Sequence, residues 1–123
     1  MPCTTCLQVA GSYSETSRDN LIDCGDGTLL RFTGGSHGVS VSQDGSNLGA
    51  LGMSGVLHAD GSAILGPIPA EAQSATGGAP TPGKLRLLGW FFDDGAGMQF
   101  QGSYTFVADT NGCELAAHTA MHR

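Results

Sequence analysis

The chain has 123 residues, a length suited to one domain with one sizeable core. Charged residues make up 13%, about half the usual share of ~25%, while Gly reaches 20 residues and hydrophobic residues 40%. That profile excludes a disordered chain. The net charge of −6 disfavours nucleic acid as a partner, and no apolar run is long enough for a transmembrane helix.

Turn signals divide the chain. Asp26-Gly27, Asp44-Gly45, Asp60-Gly61, Asp94-Gly95 and Asn111-Gly112 each suit a tight hairpin turn, where positive φ favours Gly and Asx residues. Eight strands are predicted between them, at about 7–17, 28–33, 38–43, 47–58, 62–69, 85–93, 97–109 and 113–122. The seventh has the clearest period of two: Met98, Phe100, Gly102, Tyr104 and Phe106 alternate with Gln99, Gln101, Ser103 and Thr105. Strand one sets Leu7, Val9 and Tyr13 against Gln8, Ser12 and Ser14. Strand eight sets Leu115, Ala117 and Met121 against Glu114, His118 and His122. One wet face per strand implies antiparallel pairing.

Eight consecutive strands leave two open edges, which closure removes. The expected fold is therefore an all-β, antiparallel up-and-down barrel of about eight strands. Residues 1–6 form an N-terminal tail and 7–123 a single barrel domain. Two long connections, 18–27 and 70–84, fall at the same end and mark the mouth of any cavity. Alternate connections share one rim, so Cys24, in the first connection, and Cys113, just after the last, come together as a disulfide. Such a link stabilises by about 4 kcal/mol in the chain-entropy account. Four cysteines in a low-charge chain point to an oxidising compartment, hence to an exported protein. The pairing of Cys3 and Cys6 stays open. Their C-x-x-C precedes a strand rather than a helix, which favours a structural role over a redox or zinc site.

Gly11-Ser12-Tyr13 on the first strand and the closing Arg123 resemble the lipocalin or calycin pattern, in which a Gly-x-aromatic packs under an arginine after the last strand. The setting of Cys24 and Cys113 is similar to that in small exported, lipoprotein-type bacterial barrels. The resemblance implies a calycin-like barrel with an interior able to take an apolar ligand.

Tyr13, Met98, Phe100, Tyr104 and Phe106, with Trp90 or Phe92, are the candidate ligand-lining residues; Ala117, Gly55 and Gly102 would leave room among them. Glu15 shares the apolar face of Tyr13. It is read first as a carboxylate at the wet rim, and otherwise as a ligand anchor or general base inside the barrel. His118 and His122 lie on an outer face about 13 Å apart, too far to share a metal. His37 and His58 have no evident partner, and no metal or cofactor is expected. The leading function is a binding module for an apolar small molecule or a protein partner. Next comes a structural or assembly subunit, self-associating through exposed aromatics. Third is a small barrel enzyme similar to the allene oxide cyclases, acting by confinement with Glu15 and Tyr104 as candidates.

Overall fold

A computed structural model describes residues 6–123, all of whose regular elements are strands. They are β1 (Gly11–Ser17), β2 (Asn20–Asp23), β3 (Leu29–Phe32), β4 (Gly35–Asp44), β5 (Asn47–Ala50), β6 (Met53–Leu57), β7 (Ser62–Ser74), β8 (Thr81–Asp93), β9 (Met98–Ala108) and β10 (Glu114–His122). Antiparallel pairing runs β1-β4-β5-β6-β7-β8-β9-β10 and returns to β1, a closed eight-stranded barrel. β2 and β3 are extra: a hairpin that attaches to the barrel through Leu30↔Ser74 and Arg31↔Gln73.

The expected count of eight barrel strands holds, but its membership changes. The segment 28–33 belongs to the added hairpin rather than to the wall. The segment 47–58 is two wall strands, folded at Leu51-Gly52, where both residues have positive φ (55° and 75°). That is the backbone of a tight hairpin turn, but Leu in its first position gives no sequence signal. The expected loop at 70–84 is also corrected. Most of it extends β7 and β8, whose pairing continues to Ala72↔Thr81, leaving only 75–80 as connection.

Asx residues build four other turns, between β2 and β3, β6 and β7, β8 and β9, and β9 and β10. The side chains of Asp23, Asp26, Asp60, Asp93, Asp94 and Asn111 each accept the backbone N–H two residues later, at 2.8–3.0 Å. Much of the chain's negative charge is thus placed at turns.

The β1–β4 connection and the β5–β6, β7–β8 and β9–β10 turns share one end, the mouth. The Cys24–Cys113 disulfide lies there and ties the β2–β3 hairpin to the start of β10 across 89 residues. The side chain of Asn20 in β2 also donates to the Ala116 carbonyl of β10. The opposite end, the base, is closed by the segment before β1. Val9 is completely buried, and Gln43 holds this segment by accepting from Val9 N–H (2.7 Å) and donating to the Leu7 carbonyl (2.7 Å). Arg123 donates from Nη1 to the carbonyls of Gln8 (2.8 Å) and Ala10 (3.1 Å). Its aliphatic stem lies where a Cβ on Gly11 would sit, 2.8 Å from Cδ. Gly11, Tyr13 and Arg123 therefore meet as the sequence pattern implied.

The barrel interior is packed with its own side chains. Phe91 lies against Tyr13 and Phe100, with ring centroids at 6.0 and 4.8 Å. The space left among Val41, Leu48, Ala50, Leu65, Leu87, Phe91, Phe100 and Met121 is about 10 Å³, the lower limit for a single water. Glycine makes this filling feasible: a Cβ on Gly89 would stand 2.6 Å from Phe100 Cζ and 2.2 Å from the Gln101 carbonyl. Gly83 is in the same position toward the Phe106 ring. Gly55 and Gly102, expected to leave room in the interior, instead lie against neighbouring backbone, where a Cβ would stand 2.0 Å from the Ile64 carbonyl oxygen and 2.1 Å from that of Leu88.

Replacing Gly89 with Ala is therefore expected to destabilise the barrel by about 2 kcal/mol or more in urea unfolding. Gly35→Ala, at an exposed position where a Cβ meets nothing within 4 Å, serves as the comparison and is expected to change stability by under about 0.5 kcal/mol.

Candidate functional site

β1 carries Tyr13 and Glu15 inward, as its period of two requires. Tyr13 points to the base, where its hydroxyl donates to the Val9 carbonyl (2.6 Å). Burial pushes its phenol pKa up, with the nearby Arg123 charge opposing the rise. Glu15 lies nearer the mouth and is 1% exposed, so the reading that placed it at the wet rim is corrected. β1 does not fray there, because β4 and β10 pair with it on both sides through Ser17.

The Glu15 carboxylate gathers one group from each of three strands. Tyr104 of β9 donates its hydroxyl to Oε2 at 2.5 Å, and Thr119 of β10 donates to the same oxygen at 2.6 Å. His37, directly opposite on β4, brings Nε2 to 2.7 Å from Oε1. That ring meets Oε1 without the geometry of a regular hydrogen bond. The His37 side chain is 51% exposed, so it links the buried carboxylate to solvent. Burial, and then the hydrogen bond to Glu15 and its negative charge, raise the Tyr104 pKa far above the ordinary phenol value.

The β2–β3 hairpin covers this centre. Phe32 stacks on Tyr104 with centroids 5.6 Å apart, and Leu30 is fully buried over the mouth with Ala72, Phe106, Ala108 and Leu115. Where β3 diverges from β7 a half-open groove of about 210 Å³ remains. Phe32, Ala70, Ala72, Leu85, Phe106 and Leu115 form its apolar lining, with Arg31, Thr33, Glu71 and Gln73 also around it. The β7 edge between its pairings with β6 and β3 carries Pro67 and Pro69, which cannot donate a backbone N–H to an incoming strand.

Of the ligand-lining candidates, Tyr13, Met98, Phe100, Tyr104 and Phe106 all point inward and are buried. Phe106 alone lines the groove, and Tyr104 touches it indirectly through Phe32. Trp90 and Phe92 are corrected: both lie on the outer face, Trp90 51% exposed, and the intervening Phe91 enters the core. Val56, Ile64 and Leu88 are cross-strand partners on that outer face, with Trp90 diagonal to Ile64. His118 and His122 are exposed on β10, and no group of three metal-ligating side chains occurs among the described residues. Cys3 lies outside the described residues, so its C-x-x-C with Cys6 is not described. Glu15 and Tyr104 meet.

Sequence reasoning missed His37, Thr119 and Phe32 as members of this centre. His37 sits in a Gly-Ser-His-Gly stretch that reads as a turn. Its place opposite Glu15 follows only once β2 and β3 are recognised as an excursion and β4 becomes the neighbour of β1.

Tyr104→Phe leaves one carboxylate oxygen with Thr119 alone and is expected to cost about 2 kcal/mol in denaturant unfolding. The chain's two tyrosines, Tyr13 and Tyr104, both have raised phenol pKa values. A phenol kept neutral by the fold retains its proton where the unfolded chain loses it. Their contribution is therefore complete below the ordinary value of 10.0 and falls as the pH climbs above it. Absorbance at 295 nm is expected to stay flat through pH 10–11 and to rise only together with unfolding. An immediate rise with the fold intact would show exposed phenols.

No protein-family model matches the chain, and neither a curated protein nor a solved structure matches it.

Proposed function

We propose that this protein is a small binding module that takes a single apolar group in the mouth groove beneath the β2–β3 hairpin. The groove carries the reading: it is the half-open apolar site at the mouth, whereas the barrel interior is full. At about 210 Å³ it falls below the ~300–1,000 Å³ usual for drug-sized ligands, which suits one short alkyl chain or one aromatic ring. The closed barrel and the meeting of Gly11, Tyr13 and Arg123 support a calycin-like architecture used in this reduced way. The disulfide suits an extracellular or periplasmic setting, where such links persist.

The exposed face of Ile64 and Trp90 favours a second reading, in which a protein partner or another copy of the chain docks on β6–β8. The first reading is preferred because its site is concave.

Titration of labelled protein with hexanol and with phenol, followed by NMR, separates the two. The expected result is a saturable shift at Ala70, Ala72 and Leu85 with about millimolar affinity, as a ligand of so few atoms allows. Ala72→Phe, which fills the groove, is expected to abolish it. Shifts that survive this variant, or that centre on Trp90, would move the binding site to the outer face.

A further inference from the structure

We infer that the mouth groove takes a free apolar α-amino acid, with its side chain on the groove's floor and its charged head between Arg31 and Glu71. The inference rests on the binding reading and names the ligand class of that same site. β3 and β7 pair only at Leu30↔Ser74 and Arg31↔Gln73 before they part. Alternation turns Phe32 of β3 and Ala70 and Ala72 of β7 inward, where they form part of the apolar floor. The same alternation turns Arg31, Glu71 and Gln73 outward, so these three stand along the rim. Gln73 lies opposite Arg31 and is engaged by the Thr33 hydroxyl at 3.2 Å. Glu71 is the next outward residue of β7, roughly 7 Å along the strand. A ligand that lays its apolar end on the floor therefore leaves its head beside one guanidinium and one carboxylate.

Among the described residues, neither of these charges enters an ion pair. Asp19, which shares an open hollow with Arg31, accepts the Gly34 N–H at 2.6 Å instead. β7 also offers a main-chain donor. The Ala75 N–H donates to the Leu29 carbonyl, and alternation points the Glu71 N–H to that same edge, where no β3 residue pairs with it. A carboxylate at the rim thus meets Arg31 and the Glu71 N–H, and an ammonium meets the Glu71 side chain. Either charge alone is poorly served. A lone carboxylate faces Glu71 and the net charge of −6, and a lone ammonium faces Arg31. A zwitterion satisfies both and carries no net charge into the protein's field. The groove volume of about 210 Å³ limits the side chain to one short branched chain or one ring. A residue inside a peptide lacks both charges and a terminal residue lacks one of them, so the ligand is the free amino acid.

NMR titration of labelled protein near neutral pH with L-leucine, 4-methylpentanoate and 3-methylbutylamine tests it. All three carry the same branched alkyl group; the second lacks the ammonium and the third lacks the carboxylate. Leucine is expected to bind about five- to tenfold tighter than either analogue, shifting the Ala70, Ala72 and Leu85 amides. Arg31→Gln and Glu71→Gln change exposed positions, so both variants should fold. The amine is expected to overtake leucine in Arg31→Gln, and 4-methylpentanoate to overtake it in Glu71→Gln. Leucine binding no tighter than its two analogues would overturn the inference. So would a ranking that either variant leaves unchanged. If hexanol and phenol still bind after such a result, the groove stays an apolar site and loses only its amino-acid head. Silence from all five compounds would overturn the binding reading as well.

Discussion

Backbone pairing of β1 with both β4 and β10 turns a curved sheet into a barrel, and the rest of the molecule is arranged around that closure. A barrel of eight strands encloses a narrow space, and every inward side chain competes for it. Phe91 and Phe100 fill the centre, glycine at position 89 makes room for a ring, and Val9 and Leu30 close the two ends. Binding capacity is thereby displaced from the middle of the barrel to its mouth. There the wall gives way to a hairpin that is paired to it over only two positions.

The mouth also concentrates the polar chemistry of the interior. A carboxylate fully removed from water is tolerated when its oxygens are hydrogen-bonded and its charge is met. Tyr104 and Thr119 do the first for Oε2, and His37 brings Nε2 against Oε1. These partners come from β4, β9 and β10, so the carboxylate reports on the register of half the wall. Because Phe32 stacks on Tyr104, it also couples that register to the hairpin. The base has a different polar device: Arg123 crosses the end and satisfies backbone carbonyls of the segment that plugs it.

The all-β class, the antiparallel closure and the Cys24–Cys113 link were legible in residue order, because alternation and Asx-Gly turns act locally and a closed barrel brings its first and last connections to one rim. Strand membership was less so. Leu51-Gly52 turns the chain without a turn-forming side chain, so two strands read as one. The β2–β3 hairpin has strand character but lies outside the wall. The two errors cancel in the count and not in the pairing, and the pairing is what sets His37 against Glu15.

By itself the sequence determined which residues face inward along β1, β9 and β10, because a strand's alternation is written in every second residue. That Arg123 returns to Gly11 and Tyr13 was implied by a resemblance and not by the alternation itself. Only the tertiary structure decided that the interior is full, that Trp90 and Phe92 face out while Phe91 faces in, and that Glu15 is buried with a histidine at its side. Volume left after packing, the phase of an all-aromatic run and contacts across 22 to 104 residues are properties of the assembled wall, and no local pattern encodes them.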